Sequence, residues 1–66
     1  MDLDLYLKLS GYSQKGVKLY MNNQLATAEQ IVRKMSMKED VDYMADIIDD
    51  ENGRIRQIRY DPVIRN

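Results

Sequence analysis

Two clusters of charged side chains contain the residues whose types and spacing could do chemistry in this chain. Residues 39–51 hold seven acids and no base, whereas residues 54–66 hold four arginines and one acid. The acids are Glu39, Asp40, Asp42, Asp46, Asp49, Asp50 and Glu51. Clustered carboxylates bind divalent cations, and arginines bind phosphate or carboxylate groups. Asn52-Gly53 lies between the clusters, so the element formed there decides whether they bind ligands or each other.

Asn52-Gly53 predicts a β-hairpin over residues 41–64. A two-residue type I′ turn needs positive φ at both central positions, and Asn-Gly is the pair that best adopts it. Pairing outward from this turn sets three acids opposite three arginines: Glu51 and Arg54, Asp49 and Arg56, Asp46 and Arg59. A slip of one residue would break these matches and reverse the apolar face. We therefore predict an antiparallel hairpin whose charges neutralise one another across the strands.

The same pairing sorts the apolar residues of the hairpin onto two faces. We predict that one face is the core beneath the helices: Ala45, Ile47, Ile58 and Tyr60. The opposite face carries Met44, Ile48 and, diagonally, Ile55. An apolar set exposed on a small protein indicates a surface that binds something. The alternative is that the N-terminal segment folds over this face.

Two helices are predicted ahead of the hairpin. Residues 27–37 begin with Thr27 and Gln30 at the spacing of a capping box, in which each side chain accepts a hydrogen bond from the other residue's backbone N–H. Residues 13–23 begin with Ser13, a common N-cap residue, and end at Asn22-Asn23. Both segments also carry apolar residues at helical spacing.

The first ten residues fit two structures. Leucines at positions 3, 5, 7 and 9 alternate with polar residues and Tyr6, which is a strand pattern. Leucine is also a good helix former, Asp2 could cap a helix, and Gly11 lies where a helix could stop. We favour a helix, and the alternative is a third strand that joins the hairpin.

The predicted fold is a single α+β domain over residues 1–66, with two or three short N-terminal helices packed on a C-terminal antiparallel hairpin. Its rival is similar to a winged helix-turn-helix. Four apolar residues also fit a helical stripe over residues 39–49: Val41, Met44, Ala45 and Ile48. In that arrangement residues 52–60 would form the wing.

The residue types make catalysis and cofactor binding unexpected. The chain has neither cysteine nor histidine, which excludes disulfides and zinc sites built from those residues. General acid–base and nucleophilic catalysis rely mainly on histidine, cysteine or an activated serine. The acidic run also fails as an EF-hand, because its first ligand position would be Ile48 and its closing glutamate would be Arg59. We expect a protein that is not an enzyme and has no cofactor or metal.

The N-terminus is acidic and no apolar run approaches the length that spans a membrane, so a cytoplasmic location is expected. We predict a small regulatory or interaction protein that binds a protein partner or a second copy of itself. Its expected interface consists of three residues: Met44, Ile48 and Ile55. The alternative is a winged-helix-like DNA-binding regulator that uses three arginines: Arg54, Arg56 and Arg59. Against it, the nearby acids would repel phosphates.

Overall fold

The structure, a computed structural model, describes residues 1–37 and 41–63. Its elements are α1 (Leu3–Gln14), β1 (Lys18–Met21), β2 (Gln24–Leu25), α2 (Ala28–Met35), β3 (Asp42–Asp49) and β4 (Ile55–Val63). The strands form one sheet in the order β2-β1-β4-β3, in which β1 is parallel to β4 and the other neighbours are antiparallel. The α+β class is confirmed, but the sheet is mixed and has four strands rather than being a hairpin alone.

The N-terminal segment is a helix, so the third-strand alternative is wrong. A side-chain oxygen of Asp2 accepts a hydrogen bond from the backbone N–H of Leu5 at 3.1 Å and caps α1. The helix continues through Gly11 to Gln14, and a different glycine, Gly16, follows its C-cap with a φ of +90°. The backbone N–H groups of Gly16 and Val17 donate to the carbonyls of Ser13 and Tyr12, both at 3.0 Å, which is the Schellman pattern of helix ends.

The helix predicted over residues 13–23 is wrong, because a second hairpin occupies this segment. Asn22 and Asn23 both have positive φ, 54° and 65°, and they join β1 to β2 through a two-residue turn. This is the backbone geometry that was predicted for Asn52-Gly53. The strand pattern was present in β1, where buried Leu19 and Met21 alternate with Lys18 and Tyr20.

The helix predicted over residues 27–37 is confirmed as α2 (Ala28–Met35). Its capping box is complete: Gln30 N donates to Thr27 Oγ1 at 3.1 Å, and Thr27 N donates to Gln30 Oε1 at 2.9 Å. On its surface Arg33 and Glu29 form an ion pair at 2.6 Å, between residues four apart. Its inward face holds Ala28, Ile31 and Val32 in the core; these contacts anchor the helix against the sheet.

The predicted pairing of β3 with β4 is confirmed from Asp42 to Ile48, including Ile47 opposite Ile58. Residues 42–49 therefore form a strand, which makes the winged-helix alternative wrong. Strand β4 also runs through Pro62 to Val63. Because β1 ends opposite Tyr60, only one side of β4 is paired at Pro62, so the missing N–H interrupts little.

The turn between β3 and β4 differs from the two-residue turn predicted at Asn52-Gly53. A side-chain oxygen of Asp50 accepts backbone hydrogen bonds from Asn52 and Arg54, both at 2.9 Å, and its carbonyl accepts one from Gly53 at 3.1 Å. Only Gly53 has positive φ in this turn, at +79°. The aspartate thus starts a longer loop of the type I family. A bulge follows, in which Arg56 is the extra residue between two ladder pairs.

The core lies between the helices and one face of β1 and β4. Within residues 1–37 and 41–63 it consists of eight residues: Leu9, Leu19, Met21, Ala28, Ile31, Val32, Ile58 and Tyr60. Burial of Ile58 and Tyr60 confirms half of the predicted core face. The prediction was wrong for Ala45 and Ile47, which are exposed on β3. They share the helix-side face with the core, but the helices pack over the inner strands, so the outer strand stays uncovered.

Burial of Tyr60 predicts a loss of stability in alkali. Desolvation raises the pKa of its phenol above the ordinary value of 10.0. Above that pH the unfolded chain loses the proton while the folded chain keeps it, so the free energy of unfolding falls as pH rises. We expect urea unfolding to show this fall above about pH 10, and the Tyr60→Phe variant to show a shallower one. Equal pH slopes for both proteins would contradict the assignment.

Candidate functional site

The structure brings together no metal-binding set of side chains in the part of the chain that it describes. No three carboxylates of residues 1–37 and 41–63 approach closely enough to hold a metal ion. Glu39, Asp40 and Arg65 lie outside the described residues. The surfaces that the fold leaves without partners are therefore the candidate sites.

The predicted charge neutralisation across the hairpin is not observed. Between residues 41 and 63, no ion pair joins an acid of β3 or the turn to an arginine of β4. Asp46 and Arg59 are register neighbours, as predicted, without such a contact. The bulge removes Arg56 from its predicted place opposite Asp49, which instead faces Ile55. Arg54 and Arg56 are exposed.

Arg59 is held on the side of the sheet opposite the helices, turned towards β1. Its guanidinium carbon lies 4.5 Å from the centre of the Tyr20 ring, a cation–π contact with the neighbouring strand. One terminal nitrogen donates to Asn23 Oδ1 at 2.9 Å, and the other donates to Gln57 Oε1 at 3.3 Å. These contacts tie the β1–β2 turn to β4. They also leave the carboxylate of Asp46 without a cation among the described residues.

Strand β3 is one of the two edge strands of the sheet, and its edge is the longest that has no neighbouring strand among the described residues. It has eight residues, Asp42–Asp49, and pairs with β4 on one side. No strand among the described residues pairs with its other side. The backbone N–H and C=O groups on that side can accept another strand. The edge carries neither proline nor lysine, two residues that commonly block such pairing.

The side chains of β3 combine exposed apolar groups with negative charge. Met44 is 61% exposed on the open face, and Ile47 is 56% exposed on the helix side beside exposed Ala45. Asp46 and Asp49 are exposed carboxylates on the same strand. An uncovered edge that carries both apolar and acidic groups is the most distinctive surface of the described residues.

The three residues predicted as an interface do not share one surface. Met44 and Ile48 lie on the open face, as predicted from the pairing. Ile48 is half-buried, however, and Ile55 packs against the core cluster on the helix side. The bulge explains the error for Ile55, because one extra residue shifts every position before it relative to β3. The hairpin pattern did not identify Ala45 and Ile47 as surface residues, because their exposure depends on which strands the helices cover.

The described residues include no helix that is long and apolar enough to span a membrane. No protein-family model matches this chain, and comparisons with curated proteins and with solved structures also found no match.

Proposed function

We propose that this chain is a small non-enzymatic interaction module that binds an extended segment of a protein partner along the outer edge of β3. The observation that carries the proposal is that no strand among the described residues pairs with the outer side of β3. Backbone hydrogen bonds to an added strand supply affinity, and the side chains beside it supply specificity. Binding of this kind requires no catalytic group, because the product is a longer sheet.

The two faces of β3 define what such a strand would contact. Side chains of the partner on the open face would lie beside Met44 and Asp46, and those on the helix side would lie beside Ala45 and Ile47. Side chains alternate between faces along a strand. The best partner therefore alternates between basic and apolar residues, with its basic groups beside the acidic ones of β3.

The charge of this edge favours a foreign strand over a second copy. Strand β3 has three aspartates, Asp42, Asp46 and Asp49, and no basic residue. Two copies paired through their β3 edges would bring together the exposed carboxylates of Asp46 and Asp49 from each copy, and like charges on neighbouring strands are destabilising. A lysine- or arginine-bearing strand gains attraction instead, which raises association rate and specificity more than affinity.

A peptide titration followed by NMR tests this proposal. The probe is a blocked peptide that alternates lysine and valine, and the readout is the amide shifts of the 15N-labelled protein. We expect saturable shifts concentrated in β3, and weaker binding as salt rises. The same peptide with N-methyl groups along one edge cannot donate backbone hydrogen bonds to β3, so it should not bind.

Charge reversal provides the control for specificity. Asp46→Lys should weaken binding of the lysine–valine peptide by about tenfold and improve binding of a glutamate–valine peptide. Glu51→Lys makes the same change in net charge at the turn and should leave both affinities nearly unchanged. Shifts spread over the whole surface, or equal effects of the two substitutions, would contradict binding at the β3 edge.

Nucleic-acid binding is the alternative that the same labelled protein tests. Its three arginines no longer form one row, because Arg59 is engaged with Tyr20 and Asn23 while Arg56 lies in the bulge. A DNA duplex that shifts the amides of Arg54 and Arg56 more strongly than the peptide shifts β3 would favour that function over the proposed one.

A further inference from the structure

Helix α1 has a second apolar surface that the core does not use. Its inward face holds buried Leu9, yet Leu3 and Leu7 are 64% and 65% exposed. At about 100° per residue, Leu7 lies about 160° around the helix from Leu9. Leu3, Leu7 and Gly11 follow one another four residues apart, so they share one outward stripe.

The stripe contains both a protruding group and a place to receive one. An added Cβ at Gly11 would meet no atom within 4 Å, so the space above this glycine is open. Leu7 and Gly11 line a shallow depression of about 240 Å³, together with Lys8, Tyr12 and Lys15. Leu3 therefore lies about two helical turns before the depression at Gly11. Two such helices can pack antiparallel, with the leucine of each in the depression of the other.

We propose that two copies of this chain pair through the outer faces of their α1 helices, which run antiparallel. In this arrangement Leu7 packs beside Leu7 of the second copy. Leu3 of each copy then enters the depression over Gly11 of the other. The interface is isologous, so both helices contribute the same residues. Its residues are different from those of the β3 edge.

The charges beside the stripe favour a second copy and set its direction. Asp4 and Lys8 lie on the same flank, both exposed, and neither forms an ion pair within the described residues. Antiparallel pairing about Leu7 brings Asp4 of one helix to within about 3 Å, along the axis, of Lys8 of the other. A parallel pair would instead set Asp4 beside Asp4 and Lys8 beside Lys8.

Sedimentation equilibrium over a wide range of protein concentration tests the proposal. A pair of 12-residue helices is smaller than a standard protein interface. We therefore expect a reversible dimer with a dissociation constant on the order of ten micromolar. Leu7→Glu should leave only monomer over the same range, whereas Leu25→Glu, at another exposed leucine on β2, should leave the dimer intact.

Gly11→Leu separates failure to pair from failure to fold. The substitution fills the depression, so the dissociation constant should rise at least tenfold. It should also raise the thermal midpoint of the monomer, because leucine favours a helix more than glycine does. A dimer unaffected by Gly11→Leu would overturn the proposal.

Charge reversal tests the antiparallel direction. Asp4→Lys and Lys8→Asp should each weaken the dimer, and the double variant should restore it. No rescue in the double variant, a monomer at every concentration of the natural sequence, or a dimer broken by Ile47→Glu but not by Leu7→Glu would each overturn pairing through α1.

Discussion

Replacing Ile31 by alanine will lower the free energy of unfolding by about 3 kcal/mol. Ile31 is fully buried on α2, at the centre of the core between the helices and the sheet. The loss combines the transfer of the missing groups with the cavity that remains. A core this small rarely supplies more than about 5 kcal/mol of net stability. Urea unfolding followed by circular dichroism should therefore show a variant near the limit of folding.

Ile47→Ala is the matched control, because it makes the same chemical change on β3. Ile47 is 56% exposed, so its truncation should cost less than about 0.5 kcal/mol in a dilute monomer. The pattern of the hairpin assigned Ile47 to the core and the structure does not. Equal losses at Ile31 and Ile47 would show that the outer strand is covered in solution, contrary to the exposed edge on which the proposed function depends.

Elements determined by contacts close in sequence could be predicted. The capping box of α2 joins residues three apart, Thr27 and Gln30, and its ion pair joins residues four apart. The pairing of β3 with β4 was also predictable, because acids and arginines match in only one alignment. That alignment holds from Asp42 to Ile48 even though no ion pair forms across it. Charge matching indicated the correct alignment without forming the expected contacts.

Elements that depend on distant contacts could not be predicted in the same way. Strand β1 is four residues long, and its parallel partner β4 lies far along the chain. A short segment that starts after a glycine and ends at two asparagines fits either a weak helix or a strand. Burial of Leu19 and Met21 against α1, α2 and β4 decides between them.

The candidate site depends on that same missed strand. Without β1, either edge of the predicted hairpin could be the exposed one, and either of its faces could pack against the helices. Once β1 pairs with β4, only β3 keeps an unpaired edge of this length among the described residues. The contacts of Arg59 could not be predicted for the same reason, because they are made with Tyr20 of β1 and with Asn23 of the turn that follows it. Sequence patterns predicted an interaction surface on the hairpin, and strand order determines which edge of the hairpin is left without a neighbouring strand among the described residues.

Replacing Asn22 by valine should lower the free energy of unfolding by about 1–2 kcal/mol. Asn22 has a φ of 54° in the turn between β1 and β2, a conformation that a β-branched side chain strongly disfavours. Its backbone N–H also donates to the Tyr60 carbonyl at 3.1 Å, so a distorted turn would weaken the link to β4. Urea unfolding of the variant measures the loss.

Two further substitutions show whether backbone strain is the cause. Asn22→Gly keeps positive φ accessible, so its stability should stay close to that of the natural sequence. Asn52→Val makes the same change in the β3–β4 turn, where Asn52 does not have positive φ, and should cost much less than Asn22→Val. A larger loss of unfolding free energy for Asn52→Val than for Asn22→Val would contradict this expectation. It would indicate that the type I′ turn lies at Asn52-Gly53, as the sequence pattern predicts, rather than at Asn22-Asn23.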